Sequence, residues 1–140
     1  MFNHILLGVD GSEHALRAAK TAADLARSMQ SEILRIVVAY DSVPPYLGEP
    51  NMQTAISARM KEAEKVLQKA MEVVGEIPGE VHTETLEGPP AEAILDVADT
   101  RKCDLIVMGS RGLGRLTGLL IGSQSQKVVQ HAPCPVLIVR

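Results

Sequence analysis

Apolar residues recur along this chain with two different periods. Short apolar runs stand at His4 to Asp10 (HILLGVD), Ile33 to Tyr40 (ILRIVVAY), Leu105 to Gly109 (LIVMG) and Pro135 to Arg140 (PVLIVR). Runs of this length, rich in β-branched residues and bounded by turn formers, predict buried strands. Glu80 to Leu86 (EVHTETL) alternates polar and apolar positions, which predicts a strand near a sheet edge. Between the runs the spacing becomes three to four. Ala15, Ala18, Ala19, Ala22, Leu25, Ala26 and Met29 form one such stripe, with Ser12 as its N-cap, and so many alanines predict a helix lying close on a sheet. Ile56, Met60, Ala63, Leu67, Ala70 and Val74 predict a long second helix from about Gln53, stopped at Gly75, with its charged face in solvent. Ala91, Ile94, Leu95 and Ala98 carry a third from the prolines after Gly88 to about Arg101, and a fourth spans Ser123 to His131. Asp41 to Pro50 (DSVPPYLGEP) is too rich in proline to continue a strand or helix.

Strands separated by helices, with no hairpin signal, require a parallel sheet covered on both faces. The expected fold class is α/β, a doubly wound open five-stranded parallel sheet in the order 3-2-1-4-5 with right-handed crossovers. That order puts the polar third strand at an edge and makes strands one and four neighbours. Their carboxyl ends carry Asp10 and Gly109, and open α/β sheets bind ligands in the crevice outside such ends. The last strand becomes the other edge, although Val136, Leu137, Ile138 and Val139 carry no charge to protect it. A twofold homodimer pairing strand five with its mate, antiparallel, is the simplest closed solution, and a covering loop is the alternative.

Size and composition narrow the class. At 140 residues the chain is expected to form a single domain, residues 1–140. A net charge of −3 with no basic run gives no nucleic-acid surface and no polybasic membrane patch. The opening MFNHILLGVDGS reaches Asp10 after a short apolar run, too short for a signal peptide or a membrane span, so a cytoplasmic location is expected. Cys103 and Cys134 make no CxxC. Each precedes a strand of a neighbouring pair, and free thiols are expected in a reducing compartment. His4, His14, His82 and His131 have no metal-ligand spacing, so no metal site is expected.

The candidate chemistry lies between Val107 and Val128 (VMGSRGLGRLTGLLIGSQSQKV). Glycines there let backbone N–H groups approach a ligand, and the helix opening at Ser123 offers unpaired donors and a positive dipole end to an anion. GxxxxGK[ST] and GxGxxG are both absent. A receiver domain of the same topology would want an acceptor Asp at the end of strand three, where Leu86-Glu87-Gly88 stands. What is present is Gly109-x-x-Gly112, nine residues, then Gly122-Ser123. With VDGS after strand one, PAEAIL in helix three, DLIVMGSRG and the closing PCPVLIVR, this resembles the universal stress protein family along the whole chain, specifically its ATP-binding branch.

The resemblance implies roles. Val9, Asp10, Val38 and Ala39 would hold the adenine, with Asp10 accepting from its amino group, and Met108 and Gly109 would face the ribose. Arg111, Gly112, Gly122, Ser123, Gln124 and Ser125 would hold the phosphates through backbone N–H groups, with hydroxyls from the serines. Magnesium could accompany the phosphates. Two alternatives stay open: Asp10 can brace the turn at Ser12, and Ser123 with Gln126 fits a capping box. The function implied is an ATP-binding, nucleotide-dependent switch in stress survival, with no catalytic residue assigned. A slow ATP-hydrolysing enzyme and a nucleotide-free interaction module are the competing classes.

Overall fold

The structure, a computed structural model, describes residues 1–111 and 121–140. Its strands are β1 (His4–Gly8), β2 (Ile33–Tyr40), β3 (Glu80–Glu87), β4 (Leu105–Gly109) and β5 (Val136–Val139), and its helices are α1 (Glu13–Met29), α2 (Asn51–Val74), α3 (Pro90–Thr100) and α4 (Ser123–His131). The strands form one sheet in the order β3-β2-β1-β4-β5, parallel at every pairing. One addition to the sequence reading is a single 3₁₀ turn at Pro45–Leu47 inside the proline-rich loop.

Alternation along the buried strands feeds two cores. Ile5, Leu7, Leu34, Ile36, Val38, Leu105 and Val107 face the alanine stripe of α1 and Ala63, Leu67, Ala70 and Val74 of α2. Leu6, Val37, Ile106 and Met108 face Ala91, Ile94, Val97 and Ala98 of α3 and Val128 of α4. Ser12 caps α1 by accepting from the Ala15 N–H at 3.2 Å. Gly75 ends α2 at φ +65°, a conformation that suits glycine.

The polar alternation of β3 has a specific use that the sequence did not reveal. Arg35 lies in the middle of β2, only 6% exposed. Its Nε donates to His4 Nε2 at 3.2 Å, and its Nη1 pairs with Glu84 at 3.2 Å. His82 Nδ1 is 3.3 Å from Nη2, and Arg101 reaches the same Glu84 oxygen at 3.3 Å. Because a guanidinium can only donate, both imidazole nitrogens facing it must be bare. Burial, then the Arg35 charge, holds the His4 imidazole below its ordinary pKa of 6.5. Cys103 and Cys134 are both free thiols, and burial pushes the Cys103 thiol up to about 11.

Candidate functional site

Two strands that end side by side leave a crevice, and the chain beyond each end shapes it. β1 pairs with β4 through Gly8↔Met108, and the Val9 N–H continues the β1–β2 ladder by donating to Val37 O at 3.0 Å. Asp10 therefore emerges at the sheet's carboxyl edge. Its Oδ1 accepts from the Ser12 N–H at 2.9 Å, which is the bracing role that the sequence left open. Gly11 follows at φ +87°.

On the β4 side, Ser110 is the anchor. Its N–H donates to Val139 O at 2.7 Å, its carbonyl accepts from the Gly122 N–H at 2.6 Å, and its hydroxyl lies 2.7 Å from His14 Nδ1. Both ends of the spaced-glycine stretch are thus tied together and to the first turn of α1. Gly109 itself is required by packing. A Cβ there would stand 2.8 Å from His14 Cβ, 2.9 Å from His14 C and 3.0 Å from Ala15 N. Packing is thus an independent reason for this glycine, whose bare face meets α1.

The start of α4 differs from the capping-box reading. Gly122, not Ser123, is the N-cap, in extended backbone at φ −69° and ψ 162°, and no side chain caps the helix. Gln126 donates its N–H to Gly122 O at 3.0 Å, as an ordinary helical bond. Among the described residues no side chain accepts from the first turn's N–H groups, and Ser123 is exposed. The Ser125 hydroxyl is already used, donating to Gly109 O at 2.9 Å in a buried position. Gln124 is used as well, its Oε1 accepting from the Ala91 N–H at the start of α3. Of the serine hydroxyls assigned to phosphate, Ser125's is committed to the fold.

These elements enclose a cavity of about 680 Å³. Val9, Asp10, Val38, Ala39, Met108, Gly109, Arg111, Gly122, Ser123, Gln124 and Ser125 all line it. Gly112 lies outside the described residues. The cavity has a wall that sequence reasoning missed, formed by Tyr40, Asp41, Ala58, Arg59, Glu62, Ala63 and Val66. Arg59 and Glu62 come from the charged face of α2; Glu62 is exposed, as expected of that face, and both residues also border the cavity. The available signal was their position beside Ala63 of the apolar stripe, Arg59 one turn before it and Glu62 next to it. Periodicity alone could not say that a cavity lay beside it. Among the described residues, no three His, Cys, Asp or Glu side chains gather as metal ligands, and no helix is long and apolar enough to cross a membrane.

The universal stress protein family model matches residues 1–140. The chain belongs to this family. A universal stress protein of Thermus aquaticus is 53% identical over 140 residues, covering 100% of both chains. Among solved structures, the universal stress protein UspA from Lactobacillus plantarum superposes with a TM-score of 0.87 at 29% identity, covering 99% of this chain and 98% of that one. A universal stress protein solved in complex with cAMP has a TM-score of 0.68 at 28% identity, covering 99% of this chain and 97% of its own. As a universal stress protein, the chain shares its layered sheet with these relatives, and the spaced glycines lie in the connection from β4 to α4.

Proposed function

We propose that this universal stress protein binds ATP in the cavity at the carboxyl ends of β1 and β4, and that occupancy acts as a switch on its binding to other proteins under stress. The observation that carries the reading is the convergence of two distant sequence features: Asp10 and the uncapped start of α4 line the same cavity. Val9, Val38, Ala39 and Met108 give that cavity an apolar side fit for a purine and ribose. Arg111 and the turn Gly122–Ser125 give it donors and positive charge fit for phosphates. Gly112 completes the phosphate group in this proposal. The cAMP complex of a related universal stress protein supports an adenine nucleotide as the ligand class.

Within this proposal the Asp10 carboxylate keeps its bond to Ser12 and accepts from the adenine amino group with its remaining lone pairs. The backbone N–H groups of the α4 turn hold the phosphates, helped by the exposed Ser123 hydroxyl, and magnesium would neutralise the phosphate oxygens. Residues 1–140 act as one nucleotide-binding domain in the cytoplasm, where free thiols such as Cys103 and Cys134 are the norm. Two copies pair antiparallel along β5, whose four residues are only half-buried and entirely apolar.

Isothermal titration with ATP tests the site. Wild type is expected to bind, and Gly122→Val to lose affinity by about tenfold or more, as lost charge-assisted hydrogen bonds would require. The backbone at Gly122 is one that valine adopts, so the thermal transition of the variant should be little changed. A wild-type protein that fails to bind ATP at millimolar concentration overturns the reading.

A further inference from the structure

The segment leaving β2 borders the cavity at Asp41, and its one buried side chain is Val43; its backbone has few hydrogen bonds to the rest of the fold. Pro44, Pro45 and Pro50 have no N–H. The bonds of Leu47, Gly48, Asn51 and Met52 close within the segment or on the first turn of α2. Among the described residues, one side chain supplies the hydrogen bonds joining this segment to the middle of α2. Arg59 Nη1 donates to the carbonyl oxygens of both Asp41 and Ser42, each at 2.6 Å. α2 is itself unevenly seated: its buried residues Ala63, Leu67, Ala70 and Val74 all lie in the second half, and Met60 is 39% exposed. The first half takes little support from the core, yet Ala58, Arg59 and Glu62 of the cavity wall all come from it.

We infer that Arg59 is a positioning residue for the nucleotide cavity: by tying Asp41 and Ser42 to α2 it sets the width of the cavity on the β2 side, where the base would lie. This rests on the nucleotide reading above. Hydrogen bonds from a guanidinium to carbonyl oxygens are charge-assisted and stronger than neutral ones. A wall held this way before the ligand arrives costs no ordering on binding, whereas a wall released from its tie must be ordered by the ligand at the expense of affinity. On the phosphate side the described lining, Arg111 and Gly122 to Ser125, comes from the β4–α4 connection and the start of α4.

Titrating ATP and adenosine separately into wild type, Arg59→Ala and Arg59→Lys distinguishes the outcomes. Arg59→Ala should weaken both ligands by a similar factor, about tenfold, the scale of a charge-assisted hydrogen bond. Arg59→Lys, which keeps a cationic donor, should recover part of the loss for both. A second measurement is amide hydrogen exchange between Met52 and Ala58, which should be faster in free Arg59→Ala than in free wild type and should be slowed by saturating ATP more in the variant than in wild type. Full affinity in Arg59→Ala, or exchange in the free variant no faster than in free wild type, overturns the inference while leaving the nucleotide reading intact. A loss confined to ATP also overturns it, since Arg59 would then be a phosphate contact. Wild type that binds neither ligand overturns the nucleotide reading itself.

Discussion

At the scale of single residues, two glycines of adjacent strands meet different neighbours. A Cβ on Gly109 would press on the backbone of His14 and Ala15 at 2.9 and 3.0 Å, and neither atom can move without shifting α1. A Cβ on Gly8 would come within 2.5 Å of Ile94 Cδ1, the far end of a side chain that can rotate away. Gly109→Ala should therefore destabilise by about 1–3 kcal/mol, the usual cost of overpacking. Gly8→Ala should cost clearly less, and urea denaturation of both variants checks the ranking. The thiols make a second residue-scale case. The Cys103 pKa near 11, raised by burial, leaves almost no thiolate at neutral pH. Cys134 is less buried, so an alkylating reagent on the native protein should modify Cys134 first, as mass spectrometry of early time points would reveal.

At the scale of elements, β5 carries the sharpest prediction. Ile106 donates to Pro135 O and Ser110 to Val139 O, so backbone alternation turns the N–H groups of Val136 and Ile138 toward the open edge. Side chains are a poor probe of that edge, because Leu137 packs into one core and Ile138 into the other. Proline is better, since Ile138→Pro deletes an edge donor without deleting a bond to β4. If two copies pair along β5, Ile138→Pro should sediment as a monomer and Ile138→Ala as a dimer. The period of the apolar positions made every strand and helix legible, and it gave the edge position of β3, because amphipathicity is a local record of what a segment buries. The N-cap of α4 was less legible. Ser123 followed by Gln126 matches a capping box, but the Gly122 N–H donates to Ser110 O and Gly122 takes the N-cap position, while the helix itself begins at Ser123 as expected.

At the scale of the whole molecule, the buried Arg35 joins β1, β2 and β3 through His4, His82 and Glu84, with Arg101 from the end of α3 and Asp104 beside His4. The network makes stability depend on acid. His4 binds its proton less tightly in the folded protein than in the unfolded chain, so the unfolded chain takes up more protons as pH falls. This contribution is fully present above the ordinary imidazole value of 6.5 and is lost as pH drops through the lower folded value. Denaturation midpoints should fall on acidification through that window. His4→Gln, which can still accept from Arg35 but does not titrate, should flatten the dependence. An unchanged profile in that variant would remove His4 as the source of the acid sensitivity.

Hydrophobic spacing, turn residues and the placement of glycines were sufficient to determine the α/β class, the strand order and the meeting of Asp10 with the β4–α4 connection, because each follows from local burial and the rules of parallel crossovers. Tertiary structure alone decided that Arg59 and Glu62 border the cavity, that Gly109 is bare to admit α1, that Ser125 spends its hydroxyl on Gly109, and that Arg35 is hydrogen-bonded across three strands. Those outcomes depend on which surfaces touch at distances of a few ångströms. A pattern along one chain records how much a residue is buried, but not against what.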